Sequence, residues 1–326
     1  MKRLRQSLYP SLIAVLFFAL SPLAPTLAAS GSSDAPSAKA SPWSITSPTS
    51  GFPGDCVPVT FVADVPLSGS TVSLVDASGK TVRTVSAFTA ANHVGEVADR
   101  QESSLIALIP LSSTLAPGDY TLQANAVRGT ESIGSSTPFV IEDRVFTEEI
   151  VALDGANTAI KTNMGPERLA QIEALTRLLN TADPASPRFS GPFKAPVLST
   201  RRTALYGDRR TYRYSSGRSE TGIHYGVDFG IATGTPVFAS GDGLVVMAEK
   251  RITTGWTVVV EHLPGVYSLY YHLDALTTRS GESVRAGTLI GRSGATGLAT
   301  GPHLHWEFRV AGEAVSPDWF VGRTLF

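Results

Sequence analysis

The chain has one cysteine, Cys56, among 326 residues. A single thiol cannot close an internal disulfide. Cys56 lies in Cys56-Val57-Pro58-Val59-Thr60-Phe61, which reads as a strand, so a buried, inert thiol is expected. The chain also lacks a charge imbalance: 27 Lys and Arg against 28 Asp and Glu give a formal net charge of -1. That composition gives no push toward nucleic acid. No long apolar run occurs beyond the N-terminus, so no stable membrane span is expected in the mature chain. No cysteine lies near residue 28, so lipidation there is not supported. The last third shows no helix of useful length.

What is present begins with an export signal. Lys2, Arg3 and Arg5 precede an apolar run over residues 12–20, and small residues follow at Ala24, Ala28 and Ala29. This pattern predicts a cleaved signal peptide over residues 1–28. An uncleaved anchor is the rival, but the run is shorter than the ~20 apolar residues of a span. Pro22 and Pro25 also interrupt it. An exported protein is expected, in the periplasm or cell envelope or outside the cell. The length suits two or three domains. Residues 29–41, rich in Ser, Ala and Pro, read as a flexible linker.

Short β-branched runs between turn signals follow, at 57–63, 71–75, 81–85, 105–109, 120–127 and 139–141. They predict a β-sandwich over residues 42–142. Pro117-Gly118-Asp119-Tyr120-Thr121-Leu122 resembles the approach to a late strand of immunoglobulin-like domains. His93 stands alone there and reads as a surface residue. Residues 143–190 form a connector with one expected helix, opened by Pro166 and Glu167 and ended by Asn180 and Pro184. Ile172, Leu175 and Leu179 give it one apolar stripe, which predicts docking on a neighbouring domain. Residues 191–326 are glycine-punctuated and strand-rich, with strands expected at 243–248, 256–261, 268–272, 288–290 and 303–309. The whole reads as an all-β protein: a sandwich, a short helical connector and an antiparallel β domain.

Five of the six histidines fall in that last block. Gly222-Ile223-His224-Tyr225-Gly226-Val227-Asp228 carries an H-x-x-x-D, and His303-Leu304-His305-Trp306-Glu307 an H-x-H. On a strand, His303, His305 and Glu307 share one face, while Leu304, Trp306 and Phe308 share the other. Alone, the H-x-H fits an exposed polar face equally well, and the H-x-x-x-D an ordinary His–Asp hydrogen bond. Together, two imidazoles and a carboxylate suit one zinc ion with an open position for water. Two further imidazoles suit proton transfer. The pattern points to a zinc hydrolase.

The ordered series from Gly222–Asp228 through Gly234-Thr235-Pro236-Val237, Gly241-Asp242-Gly243, Ser268-Leu269-Tyr270-Tyr271-His272-Leu273 and Gly287-Thr288-Leu289-Ile290-Gly291 to Gly301-Pro302-His303-Leu304-His305-Trp306-Glu307 resembles the LytM/lysostaphin-type zinc metallopeptidases, with their duplicated hybrid motif domain. The resemblance spans residues 206–317. It implies that His224, Asp228 and His305 hold one Zn2+ and that His272 and His303 are the catalytic pair, with base and oxyanion roles unassigned between them. It also implies an endopeptidase acting on peptide cross-links of bacterial peptidoglycan, with stem-peptide cross-links favoured over oligoglycine. Relatives that lose these positions act as binding or amidase-activating factors; all five stand here. A latent enzyme covered by the sandwich or the helix is a third reading. Neither a separate cofactor nor an oligomeric state is implied.

Three more residues were weighed. His262 reads as structural. Tyr270, two residues before His272, reads either as a substrate hydrogen-bond donor or as a packed tyrosine. Glu307 either orients a ligand histidine or forms a plain salt bridge. Arg201, Arg202, Arg209, Arg210, Arg213 and Arg218 read as a solvated loop, or as a rim that attracts an anionic polymer.

Overall fold

The computed structural model describes residues 42–89, 103–183, 186, 189 and 191–325. The expected signal peptide, the whole of the expected linker, His93 and Pro184 lie outside the described residues.

Alternating apolar residues build two facing sheets in the N-terminal half. One has the strand order Trp43–Thr46, Cys56–Ala63, Ser103–Pro110, Phe88–Thr89. The other runs Ser50–Gly51, Glu131–Ile141, Gly118–Arg128, Leu67–Asp76, Thr81–Ser86. Val59, Phe61, Leu74, Ile109, Leu122 and Phe139 fill the space between them, giving a β-sandwich. The strand Ser103–Pro110 is buried on both faces over residues 105–110. Its partner Cys56–Ala63 is buried on its inner face and, at Cys56, on the outer one, where Pro58, Thr60 and Val62 are half-buried. Val57 and Val59 point into the sandwich, while Cys56, Ile106 and Leu108 join the core of the C-terminal half, beside Phe193 and Phe308. Burial pushes the Cys56 thiol far up, which makes it inert. Polar contacts reinforce the junction: Arg83 pairs with Glu313 at 2.6 Å, and the Tyr206 hydroxyl donates to the Ala314 carbonyl at 2.8 Å.

The connector is more structured than its pattern predicts. Besides the expected helix α2 (Pro166–Leu179), it contains helix α1 (Gly155–Thr162) and the strand Glu148–Ala152. Helix α1 is only eight residues long, so its apolar positions Ala156, Ala159 and Ile160 make a single turn's worth of pattern. Its start is set by Asp154, whose carboxylate accepts from the Asn157 backbone N–H at 2.7 Å. The strand pairs in parallel with Arg209–Arg213, a long-range partner that periodicity does not reveal. Helix α2 packs Leu179 against Met247, Val259, Tyr267 and Leu269.

The C-terminal half is a largely antiparallel sheet. Its central strands are Val227–Phe229, Leu304–Val310, Val266–Leu276 and Gly255–Leu263, in that order. The register aligns Asp228 with His305, and His305 with Tyr271. One row across three strands thus carries much of the histidine site. A four-residue helix, α3 (Pro317–Phe320), closes the fold.

His262 is fully buried between Phe193 and Phe308. Its Nδ1–H donates to the Asp242 carbonyl at 2.7 Å, and Nε2 accepts from the Ser268 hydroxyl at 2.7 Å. Burial, opposed by Asp242, lowers its pKa from 6.5 to about 4. The neutral ring therefore contributes stability fully present above pH 6.5 and lost as pH falls toward 4. The loss should approach roughly 3 kcal/mol at the acid end. Thermal melts across pH 4–8 on the protein and on His262→Gln check this: the variant should show the shallower acid slope, and equal slopes would contradict it.

Candidate metal centre and active-site cleft

The strand Leu304–Val310 is anchored from behind. Leu304, Trp306 and Phe308 are fully buried, each contributing roughly 2–3 kcal/mol of apolar burial. That fixes His305 and Glu307 on the opposite face. Before Asp228, the chain at Gly226 passes so close that a Cβ there would collide with the Trp306 carbonyl oxygen and lie 2.8 Å from His305 Nε2. Glycine is required for this approach.

His224 Nε2, Asp228 Oδ1 and His305 Nδ1 converge. The separations are 2.9 Å between the two nitrogens, 3.1 Å from His224 to Asp228 and 2.8 Å from His305 to Asp228. Each imidazole is held from its far side. His224 Nδ1–H donates to the Leu205 carbonyl at 2.8 Å, and His305 Nε2–H donates to Glu307 Oε1 at 2.9 Å. With those protons engaged, the two inward nitrogens present lone pairs to a common point. Two nitrogens and a carboxylate oxygen so oriented fit a zinc ion. The electrostatics agree. Burial raises the Asp228 carboxyl, but His224 and His305, which donate to it whenever their inward nitrogens carry protons in place of facing an ion, outweigh it and hold the group well below the usual range. Burial lowers His305, but Asp228 and Glu307 outweigh it and raise its pKa to about 9. The centre favours positive charge. Both alternatives for Glu307 hold together, because its second oxygen pairs with Arg309 at 2.7 Å.

His272 and His303 stand beside this centre, with ring centroids 4.7 Å apart. His272 Nδ1–H donates to the Thr296 carbonyl and His303 Nδ1–H to the Gly301 carbonyl, each at 2.8 Å. Each Nε2 is left to the cleft. Burial, with His303 and His305 nearby, pushes His272 down to about 3, and burial lowers His303. All five candidate residues therefore meet at one cleft of about 580 Å³.

Of the two readings of Tyr270, the structure bears out the packed tyrosine, although simple alternation would place it on the face of His272. It is fully buried, and its hydroxyl accepts from the Ser240 N–H at 2.8 Å. The reason is local: His272 has φ +60°, and the register shifts between Trp256 and Val258. The bulge breaks the period of two. Tyr271 is on the cleft side instead and stacks on His305 at 5.2 Å with planes 4° apart.

Arg210 is the other residue that sequence reasoning missed. It is no solvated loop residue: its Nη2 donates to Asp228 Oδ2 at 3.0 Å, and its Nε to Glu149. Burial lowers its pKa, but Asp228 and Glu149 raise it further. The signal would have been an arginine on a strand, yet its partner Glu149 lies 61 residues away. Other members of the cluster are also engaged: Arg202 pairs with Asp318, and Arg209 donates to the Ser113 carbonyl at 2.6 Å.

Comparison with known proteins covers this block and, for the fold, more. Residues 222–317 match Peptidase family M23. The DD-carboxypeptidase/endopeptidase Mpg of Neisseria meningitidis is 38% identical over 122 residues, which are 37% of this chain and 27% of Mpg. The peptidoglycan DD-endopeptidase ShyA of Vibrio cholerae is 44% identical over 93 residues, 28% of this chain and 22% of ShyA. The chain thus spans about a quarter of the length of these relatives. A Pseudomonas aeruginosa structure described as a peptidase M23 superposes over 83% of this chain and 94% of its own, with a TM-score of 0.51 and 22% identity. That likeness concerns the fold, and it extends upstream of the histidine block. The histidine site thus lies in the block, residues 222–317, that is similar to peptidase family M23.

Proposed function

We propose that the protein is an exported zinc metallo-endopeptidase that hydrolyses peptide cross-links of bacterial peptidoglycan. The observation that carries this reading is the convergence of His224 Nε2, Asp228 Oδ1 and His305 Nδ1 beside two further imidazoles in one open cleft. The names of Mpg and ShyA support the substrate class. Among the described residues no helix is long and apolar enough to cross a membrane.

In this reading His224, Asp228 and His305 hold the ion. When bound, zinc polarises a scissile carbonyl and makes water a better nucleophile at neutral pH. The residues of the chain move the proton. A neutral His272 or His303, its Nδ1–H occupied by a backbone carbonyl, accepts a proton at Nε2 as the water oxygen bonds to the carbonyl carbon. The same proton then passes to the amide nitrogen as the C–N bond breaks. The other imidazole lines the same cleft and faces the negative charge that develops on the carbonyl oxygen. Glu307 fixes the His305 ring, and Arg210 fixes the Asp228 carboxylate.

Digestion of cross-linked peptidoglycan by the purified protein should release cross-link-cleaved fragments in mass analysis, and a zinc chelator should abolish the release. Persistence of all cross-links with zinc demonstrably bound would favour the binding or amidase-activating reading.

A further inference from the structure

The cleft has two unlike walls. One comes from the connector: Glu149, Lys161 of α1 and Arg168 of α2 line it. The other includes Arg201 and Thr203. The acidic groups of the cleft are already matched. Glu149 and Asp228 share Arg210, and Glu307 pairs with Arg309. Lys161 is matched too, by Glu220 at 3.1 Å. Arg168 and Arg201 differ. Neither has a carboxylate within ion-pair reach among the described residues, although eight other arginines do.

Both guanidinium groups are nevertheless held in place by neutral partners. Arg168 Nη1 donates to the Asn163 carbonyl at 2.7 Å, and Nε to the Thr253 hydroxyl at 3.1 Å. The next residue, Thr254, accepts the His272 backbone N–H through its carbonyl at 2.8 Å. Arg168 thus sits beside the segment that supports His272. Arg201 Nη1 donates to the Gly230 carbonyl at 3.0 Å, two residues beyond Asp228. The two cations therefore stand near opposite ends of the site. Positioned guanidinium groups with free N–H donors, in a cleft whose own carboxylates are all spoken for, suit carboxylates brought by a ligand.

We propose that Arg168 and Arg201 are specificity-determining residues that bind free carboxylates of the peptide substrate, one on each side of the scissile bond. This rests on the peptidase reading above. It makes the preferred substrate an anionic peptide and gives the connector a direct part in choosing it.

The test compares a cross-linked peptidoglycan peptide that keeps its free carboxylates with the same peptide fully amidated. The full chain and its Arg168→Gln, Arg201→Gln, Arg168→Lys and Arg201→Lys variants are assayed on both. For the unaltered chain, amidation should lower kcat/KM roughly 10- to 100-fold, the size expected for a charge-assisted hydrogen bond. Each Gln variant removes one of the two contacts and should suffer part of that loss on the carboxylate peptide, chiefly through KM. On the amidated peptide the Gln variants should match the unaltered chain, and the Lys variants should recover part of the loss. Equal rates on the two peptides, or equal losses on both in the Gln variants, would overturn the proposal. Calorimetric binding of the two peptides separates this from the function itself. Cleavage of neither peptide, with zinc bound, would sink the peptidase reading; carboxylate-independent binding would sink this one.

Discussion

Replacing His303 with alanine should lower kcat on cross-linked peptidoglycan by roughly 10²- to 10⁴-fold, the contribution of a positioned acid or base, while leaving zinc in place. The separation follows from the geometry. His303 Nε2 lies 3.9 Å from Asp228 Oδ1, whereas the three converging donor atoms are tied by contacts of 2.8 to 3.1 Å. His303 also lies just before the strand Leu304–Val310, and its bridge to Gly294 is made by backbone groups that alanine keeps. Its partner needs a different substitution. His272 has φ +60°, where alanine is strained by about 1–2 kcal/mol; asparagine tolerates that conformation. His272→Asn should therefore show the same loss of rate without a backbone penalty. Rates from fragment release, paired with zinc content by elemental analysis, check both. Full activity in either variant would remove that residue from the mechanism.

Asp228→Ala should have the second largest effect, and on two properties at once. Zinc content should fall to background, because the only carboxylate among the three converging donors is gone. Stability should fall as well, since Arg210 keeps only Glu149 of its two acidic partners. Removing one partner of a buried pair costs about 3–5 kcal/mol, and the remaining link to Glu149 brings this site toward the lower end. Asp228→Asn separates the two effects. Its amide oxygen still accepts from Arg210, so stability should largely return while metal affinity stays weak. Thermal melting of the metal-free proteins measures the first property, and elemental analysis the second. Equal melting of Asp228→Ala and the unaltered chain would mean that Arg210 finds another partner.

The parts of this molecule that could be read from its sequence are those encoded locally. The H-x-H and H-x-x-x-D brought four of the five side chains that the fold gathers into view, and His272 came with the family resemblance; alternation on a strand also dictates that Leu304, Trp306 and Phe308 go inward. The sandwich strands were visible for the same reason, and helix α2 through its terminal Pro166 and Asn180. What stayed hidden depends on partners far along the chain. Arg210 looks like one basic residue among several until the strand Glu148–Ala152 pairs beside it. Tyr270 and Tyr271 exchange places because a single residue, His272, leaves the extended conformation. Helix α1, at eight residues, is too short for its three apolar positions to give a repeating period, and its clearest local mark is the cap at Asp154.

The paired strands Cys56–Ala63 and Ser103–Pro110 carry a consequence for how the molecule comes apart. Their inner side chains belong to the sandwich, and Cys56, Ile106 and Leu108 on the outer side to the catalytic half. Neither half can melt without baring apolar surface that the other was covering. Excising the catalytic half near residue 190 would strip Phe193 and Phe308 of those neighbours and invite aggregation rather than yield an independent enzyme. The upstream half is packed into one cooperative unit with the C-terminal half and is not cargo on a tether.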